Sequence, residues 1–309
     1  MWMALRNFVL MAVLACAPVF LLAQLDNAAA PTDLALQRIV CAVPGVDYLF
    51  VGSSFTYSGI NPLLFTERGL KAYNLGTPCA GVSYYHLLAN DYVARTGTRP
   101  RTLLIEVTPV SFATGADDWK RYTIHRTLVE PRSHEEVALK YGLGTRYFEL
   151  VRKSSVQGAQ ALARLARGQT RPECKKVLST LGMVVSNTQD APDGRRDEAK
   201  FKETLLDTYP PQKAEELITL AKSHRDGGER VVFHQPPIFA RSLYFTPEFM
   251  AEYEEMLERL TKAGFEVIPP DDVARYSPAD RRNGDHLNSE GAEKYTEYLM
   301  GKLGIEIKR

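Results

Sequence analysis

The chain has 309 residues, enough for one large domain or two smaller ones, and its 45% hydrophobic and 24% charged content excludes a disordered or fibrous protein. A formal net charge of +1 offers no global basic field, so no nucleic-acid partner is expected. The four cysteines, Cys16, Cys41, Cys79 and Cys174, contain no C-x-x-C pair, which argues against a zinc site.

Residues 1–30 read as a targeting segment. Arg6 supplies a positive start, and residues 8–23 run apolar without a charge, long for a secretion signal and slightly short for a spanning helix. Ala28-Ala29-Ala30 has the small-residue pattern of a cleavage site, but Pro31 follows it, and Leu21 spoils an exit at Ala23. Val13-Leu14-Ala15-Cys16 is a weak lipoprotein match, because the apolar run continues past it. The body is therefore expected outside the cytoplasm, either anchored by this helix or released from it. With Cys16 in the leader, three cysteines remain, so the body holds at most one disulfide and a free thiol. Their pairing stays open.

Tyr48–Val51 is a short aromatic and β-branched run, the pattern of a buried parallel strand. It breaks at Gly52 into Ser53 and Ser54, and Asn61-Pro62 then opens an apolar run over residues 63–70 that can be helical. The expected order is strand, tight turn, helix, with a hydroxyl in the turn. The carboxyl end of a parallel strand is where open α/β sheets bind ligands, and a helix start offers free N–H groups to developing negative charge. The same serines also serve as ordinary turn residues.

Further strands are expected at residues 72–75 and 102–107, with a helix over 84–96 between them. The alternation then lapses. Residues 112–228 read as a largely helical insertion, with helices near 135–141 and 147–167 and a polar loop over 187–200. Such an insertion forms a lid or substrate wall, or simply packs. Leu162 to Arg167 could face a membrane as a basic amphipathic stripe or lie in solvent. The pattern resumes with a helix over 213–224, a strand at Arg230–His234, a helix over 247–263 and a strand at 265–268. A loop over 271–285 leads to His286 and a closing helix near 290–303. No Walker loop is present, and Gly142-Leu143-Gly144 lacks the third glycine and preceding strand of a dinucleotide site.

His286 stands beside Asp285, just ahead of that last helix. Histidine is the usual general base for a serine, since its unperturbed pKa lies near neutrality; taken alone, it also reads as a helix-start residue. Ser54 follows the first strand and His286 the last, and in an open sheet those loops can converge at one edge. Gly81, after the second strand, offers a backbone N–H to an oxyanion at the same edge. The sequence is not an α/β-hydrolase elbow, because Gly52-x-Ser54-x-Thr56 lacks the closing glycine.

Gly52-Ser53-Ser54, the stretch from Asn74-Leu75-Gly76 to Gly81, and Asp285-His286-Leu287-Asn288 together resemble the SGNH (GDSL-like) hydrolases. The likeness is greatest to their membrane-anchored, extracytoplasmic branch, which includes proteins tied to acylation of teichoic acids and exopolysaccharides. The resemblance implies an α/β three-layer sandwich with a five-stranded parallel sheet of flavodoxin-like type, matching the strands above and spanning residues 31–309 as one domain with its insertion. It implies Ser54 as nucleophile, His286 as base, and Gly81 with the Ser54 amide as oxyanion donors, with neither metal nor cofactor. The implied substrate is an acylated envelope glycan or glycolipid, and the implied partner a membrane-bound acyltransferase.

Two departures stand out. The family's oxyanion asparagine after the third strand is absent from Glu106-Val107-Thr108-Pro109, and its aspartate three residues before the histidine is Asn283. Asp285 could orient His286 instead if the chain turns at Gly284, since adjacent side chains of an extended loop point apart. These departures favour a non-catalytic module of the same fold that binds a glycan or an export-complex partner; Ser54 and His286 favour an esterase or O-acyltransferase.

Overall fold

The computed structural model describes residues 41–78, 80–113, 174–183, 211–239, 245–283 and 286–306. The chain divides into two compact units, Met1–Gln37 with Ala116–Cys174, and Arg38–Gly115 with Lys175–Arg309. Apart from Cys174 and the leader, every residue discussed below belongs to the second. The leader, the helices expected near 135–141 and 147–167, the loop over 187–200 and Asp285 lie outside the described residues.

The apolar runs form β1 (Tyr48–Val51), β2 (Ala72–Asn74), β3 (Thr102–Glu106), β4 (Arg230–His234) and β5 (Glu266–Ile268). They pair in parallel in the order β2-β1-β3-β4-β5, the flavodoxin-like doubly wound order. Nearly every β1 and β3 side chain is buried, as a sheet covered on both faces requires.

Between the strands run α1 (Ser54–Gly59), α2 (Leu63–Thr66), α3 (Val82–Thr96), α4 (Pro109–Ala113), α5 (Cys174–Ser179), α6 (Pro211–Asp226) and α7 (Pro247–Lys262), and α8 (Ser289–Lys302) closes the chain. The β1–β2 connection runs one way along the sheet and β2–β3 the other, so right-handed crossovers place their helices on opposite faces. Helix α8 packs on α1 and α2, whereas α3 packs on α6. Phe50, Leu104 and Val232 are neighbours in register and face the α8 layer, where they meet Ile60, Phe65, Leu287 and Leu299. Burying each such side chain contributes about 1.5–3 kcal/mol.

The first segment departs from expectation. A helix begins at Ser54 itself, whereas the sequence pattern places the next helix after Asn61-Pro62; the run from Leu63 is helical only to Thr66. Serine, threonine and glycine are indifferent helix formers, so propensity does not announce α1. Tertiary bonds hold it instead. Asn74, fully buried, donates from Nδ2 to the carbonyls of Thr56 (2.8 Å) and Ile60 (3.0 Å), and its Oδ1 accepts from Gly76 N at 2.8 Å. A side chain at Gly76 would put Cβ 2.4 Å from Tyr57 N, so glycine alone lets the β2 loop close on α1.

Candidate active site

Ser54 is the first residue of α1, at the carboxyl end of β1. Ser53 caps that helix: its hydroxyl accepts from Phe55 N at 3.3 Å, and the residue is only 3% exposed. The two adjacent serines thus divide, one buried in the scaffold and the other partly open to the surface.

His286 arrives from the other end of the chain. Arg281 and Leu287 form an antiparallel bridge, and the His286 carbonyl accepts from Arg282 N at 2.9 Å, so the chain reverses between Asn283 and His286. Leu287, 4% exposed, pins this turn into the core, and Asn288 caps α8 by accepting from Gly291 N at 3.0 Å. His286 Nε2 then lies 2.8 Å from Ser54 Oγ. The ring stacks on Phe55 at a centroid distance of 5.3 Å and an interplanar angle of 24°.

The protons in this array follow from the donors present. The His286 backbone N–H donates to the Asn283 side chain at 3.0 Å, so the accepting atom is the amide oxygen Oδ1. The same oxygen lies 3.0 Å from His286 Nδ1, which must therefore carry the proton. Nε2 is left with its lone pair and accepts from the Ser54 hydroxyl. The neutral Asn283 amide thus selects the tautomer a general base needs, and a flipped amide would set its NH2 against two N–H groups. Nδ1 is the nitrogen Asp285 would take, and it faces Asn283.

The backbone N–H groups at the starts of α1 and α3 differ in what they meet. Within the first turn of α1, Phe55 N donates to Ser53 Oγ, Thr56 N to Glu106 and Tyr57 N to the Ser53 carbonyl, while Ser54 N meets no acceptor among the described residues. Gly81 caps the amino end of α3, and its N–H likewise meets none among them. Glu106, where the resembled family offers an asparagine, faces inward. It is 0% exposed, and its carboxylate accepts from the Ser53 and Thr56 amides on either side of Ser54. Its role is not apparent from sequence; the one signal is a carboxylate ending the apolar run Thr102–Glu106.

Beyond β3, β4 and β5 at the same sheet edge lies a cavity of about 540 Å³, lined by Thr108, Gln235, Phe239, Tyr253, Asp271 and Asp272 among others. Among the described residues no cluster of His, Cys, Asp or Glu could hold a metal ion.

No family model matches the chain, and no curated protein sequence matches it. Among solved structures it is similar to a protein described as an acylhydrolase from Bacteroides fragilis NCTC 9343, at 10% identity and a TM-score of 0.43, over 87% of this chain and 93% of that one. It is also similar to a GDSL-like lipase from Bacteroides thetaiotaomicron VPI-5482, at 8% identity and TM-score 0.38, over 83% and 87%. A third is a family two carbohydrate esterase from Clostridium thermocellum in complex with cellohexaose, at 10% identity and TM-score 0.36, over 86% and 67%. Identities and scores this low leave the chemistry to be read from the chain's own residues.

Proposed function

We propose that this chain is an SGNH-type serine esterase or O-acyltransferase acting outside the cytoplasm on an acylated envelope glycan or glycolipid. The carrying observation is the continuous chain Ser54 Oγ–His286 Nε2 (2.8 Å) and His286 Nδ1–Asn283 Oδ1 (3.0 Å). Ser54 attacks the acyl carbonyl as its proton passes to Nε2, and the Ser54 and Gly81 amides receive the oxyanion. The imidazolium returns the proton to the departing alcohol oxygen. His286 then deprotonates water, or a sugar hydroxyl, which takes the acyl group from Ser54 as the imidazolium returns that proton to the departing Ser54 Oγ.

Extracytoplasmic placement is supported by the apolar leader and by disulfide-bonded Cys41 and Cys174, because such bonds persist in oxidising compartments. Among the described residues no helix is long and apolar enough to cross a membrane; the anchoring role is assigned to residues 8–23 from their uncharged apolar sequence.

Initial rates on an activated acetyl ester, with and without a neutral oligosaccharide acceptor, test this reading. Turnover abolished in Ser54→Ala, with part of the acetyl group moved to sugar, is the expected result. A wild-type rate equal to that of Ser54→Ala would leave the binding-module reading in its place.

A further inference from the structure

The buried carboxylate of Glu106 accepts hydrogen bonds from both sides of Ser54. Oε2 accepts from Ser53 N (2.9 Å), Thr56 N (2.9 Å) and Thr56 Oγ1 (2.7 Å). Oε1 accepts from Ser53 Oγ (2.5 Å), Tyr85 OH (3.2 Å), Ser111 Oγ (3.2 Å) and Thr108 Oγ1 (3.4 Å). No Lys, Arg or His among the described residues pairs with it. Burying a carboxylate without a cation is costly, and hydrogen bonds of this number offset the cost without a surplus to expect. What such a group supplies is geometry.

The surrounding sequence is shaped to admit it. A Cβ on Gly52 would sit 2.6 Å from both Cβ and Oε2 of Glu106. Together with Thr56 Oγ1, which such a Cβ would meet at 2.1 Å, the glutamate therefore requires glycine ahead of the two serines. The carboxylate also draws the Ser53 and Thr56 amides inward, while the Ser53 hydroxyl occupies the Phe55 amide. Of the first amides of α1, this leaves Ser54 N–H without an acceptor among the described residues.

We propose that Glu106 is a positioning residue for the reaction: by clamping the residues before and after Ser54, it aims the Ser54 hydroxyl at His286 and its amide at the oxyanion. This rests on the reading of Ser54 as nucleophile. A side chain acting in this way changes reactivity at Ser54 without changing how substrate is held, so kcat falls while KM stays.

The test uses the full chain with Glu106→Gln and Glu106→Leu. Reactive sites are counted by end-point fluorophosphonate labelling, so that any unfolded fraction drops out of the rates. Glutamine keeps an acceptor for the two amides but turns the other end into a donor facing hydroxyls. Its kcat per labelled site is expected to fall about five- to twentyfold, with KM within about twofold and the labelling rate falling in parallel. Leucine, with no acceptor, is expected to lose about a hundredfold or more. Should the leucine variant not fold, the glutamine variant alone decides. A glutamine variant with kcat per site and labelling rate both within about twofold of wild type overturns the proposal. Failure of the wild type itself to label at Ser54 would instead overturn the nucleophile reading, and the positioning role with it.

Discussion

At the scale of the residue, the decisive side chain is Asn283. In the serine-protease template, replacing the orienting aspartate by asparagine costs about four orders of magnitude in turnover, chiefly through the wrong histidine tautomer. Here the His286 backbone N–H fixes Oδ1 toward the ring, so the right tautomer is already selected. What the amide lacks is charge to stabilise the imidazolium. Asn283→Asp is therefore expected to raise kcat by about ten- to a hundredfold rather than ten-thousandfold. Asp285→Asn should change it by less than about threefold, because Nδ1 is engaged by Asn283. Steady-state rates of both variants on one acetyl ester at neutral pH check this. The sequence singled out both residues but could not choose between them. The choice rests on which side chain meets His286 Nδ1, and side-chain direction in a loop is not written in residue spacing.

At the scale of the element, α1 shows where sequence reading stops. The apolar runs that make β1, β3 and β4 are visible because a buried parallel strand needs nothing but continuous apolar side chains. Helix α1 has no such pattern; Glu106 holds its start and Asn74 its end, and both partners come from other strands. Residues 102–107 read as a strand, but the hydroxyls and amide that meet the Glu106 carboxylate, on α1, α3 and α4, are brought together only by folding. Gly52 joins these elements. In Gly52→Ala the new methyl would lie 2.1 Å from Thr56 Oγ1 and 2.6 Å from Glu106 Oε2, so α1 must shift away from β1. Overpacking of this kind costs about 1–3 kcal/mol, and a shift of the turn by an ångström costs about a hundredfold in rate. Urea unfolding and ester turnover of the same preparation are expected to show both losses. A variant as stable and as active as wild type would refute the close approach.

At the scale of the whole molecule, stability should depend on pH through His234, the last residue of β4. Complete burial lowers its pKa from 6.5 to about 3, and its Nδ1 lies 3.0 Å from Tyr295 OH. The unfolded chain therefore binds a proton between those values that the native state refuses. His234 weighs nothing against folding above about pH 6.5, and stability falls as pH drops from there toward about 3, by about 1.4 kcal/mol per unit. Unfolding free energies at pH 7 and pH 5 should differ less in His234→Gln than in wild type, by about 1–2 kcal/mol. Equal differences in the two proteins would show that the histidine is not held neutral. The sheet order and both chain-distant halves of the site follow from one topology, in which the first strand and the last loop meet at one edge. That meeting is the central claim, and covalent labelling tests it most directly. Wild-type protein is exposed to a fluorophosphonate near neutral pH and the adduct is located by peptide mapping. The account predicts a single adduct on Ser54, retained in Ser53→Ala, lost in Ser54→Ala and strongly slowed in His286→Ala. No adduct on Ser54, or one formed as fast without His286 as with it, would contradict the account.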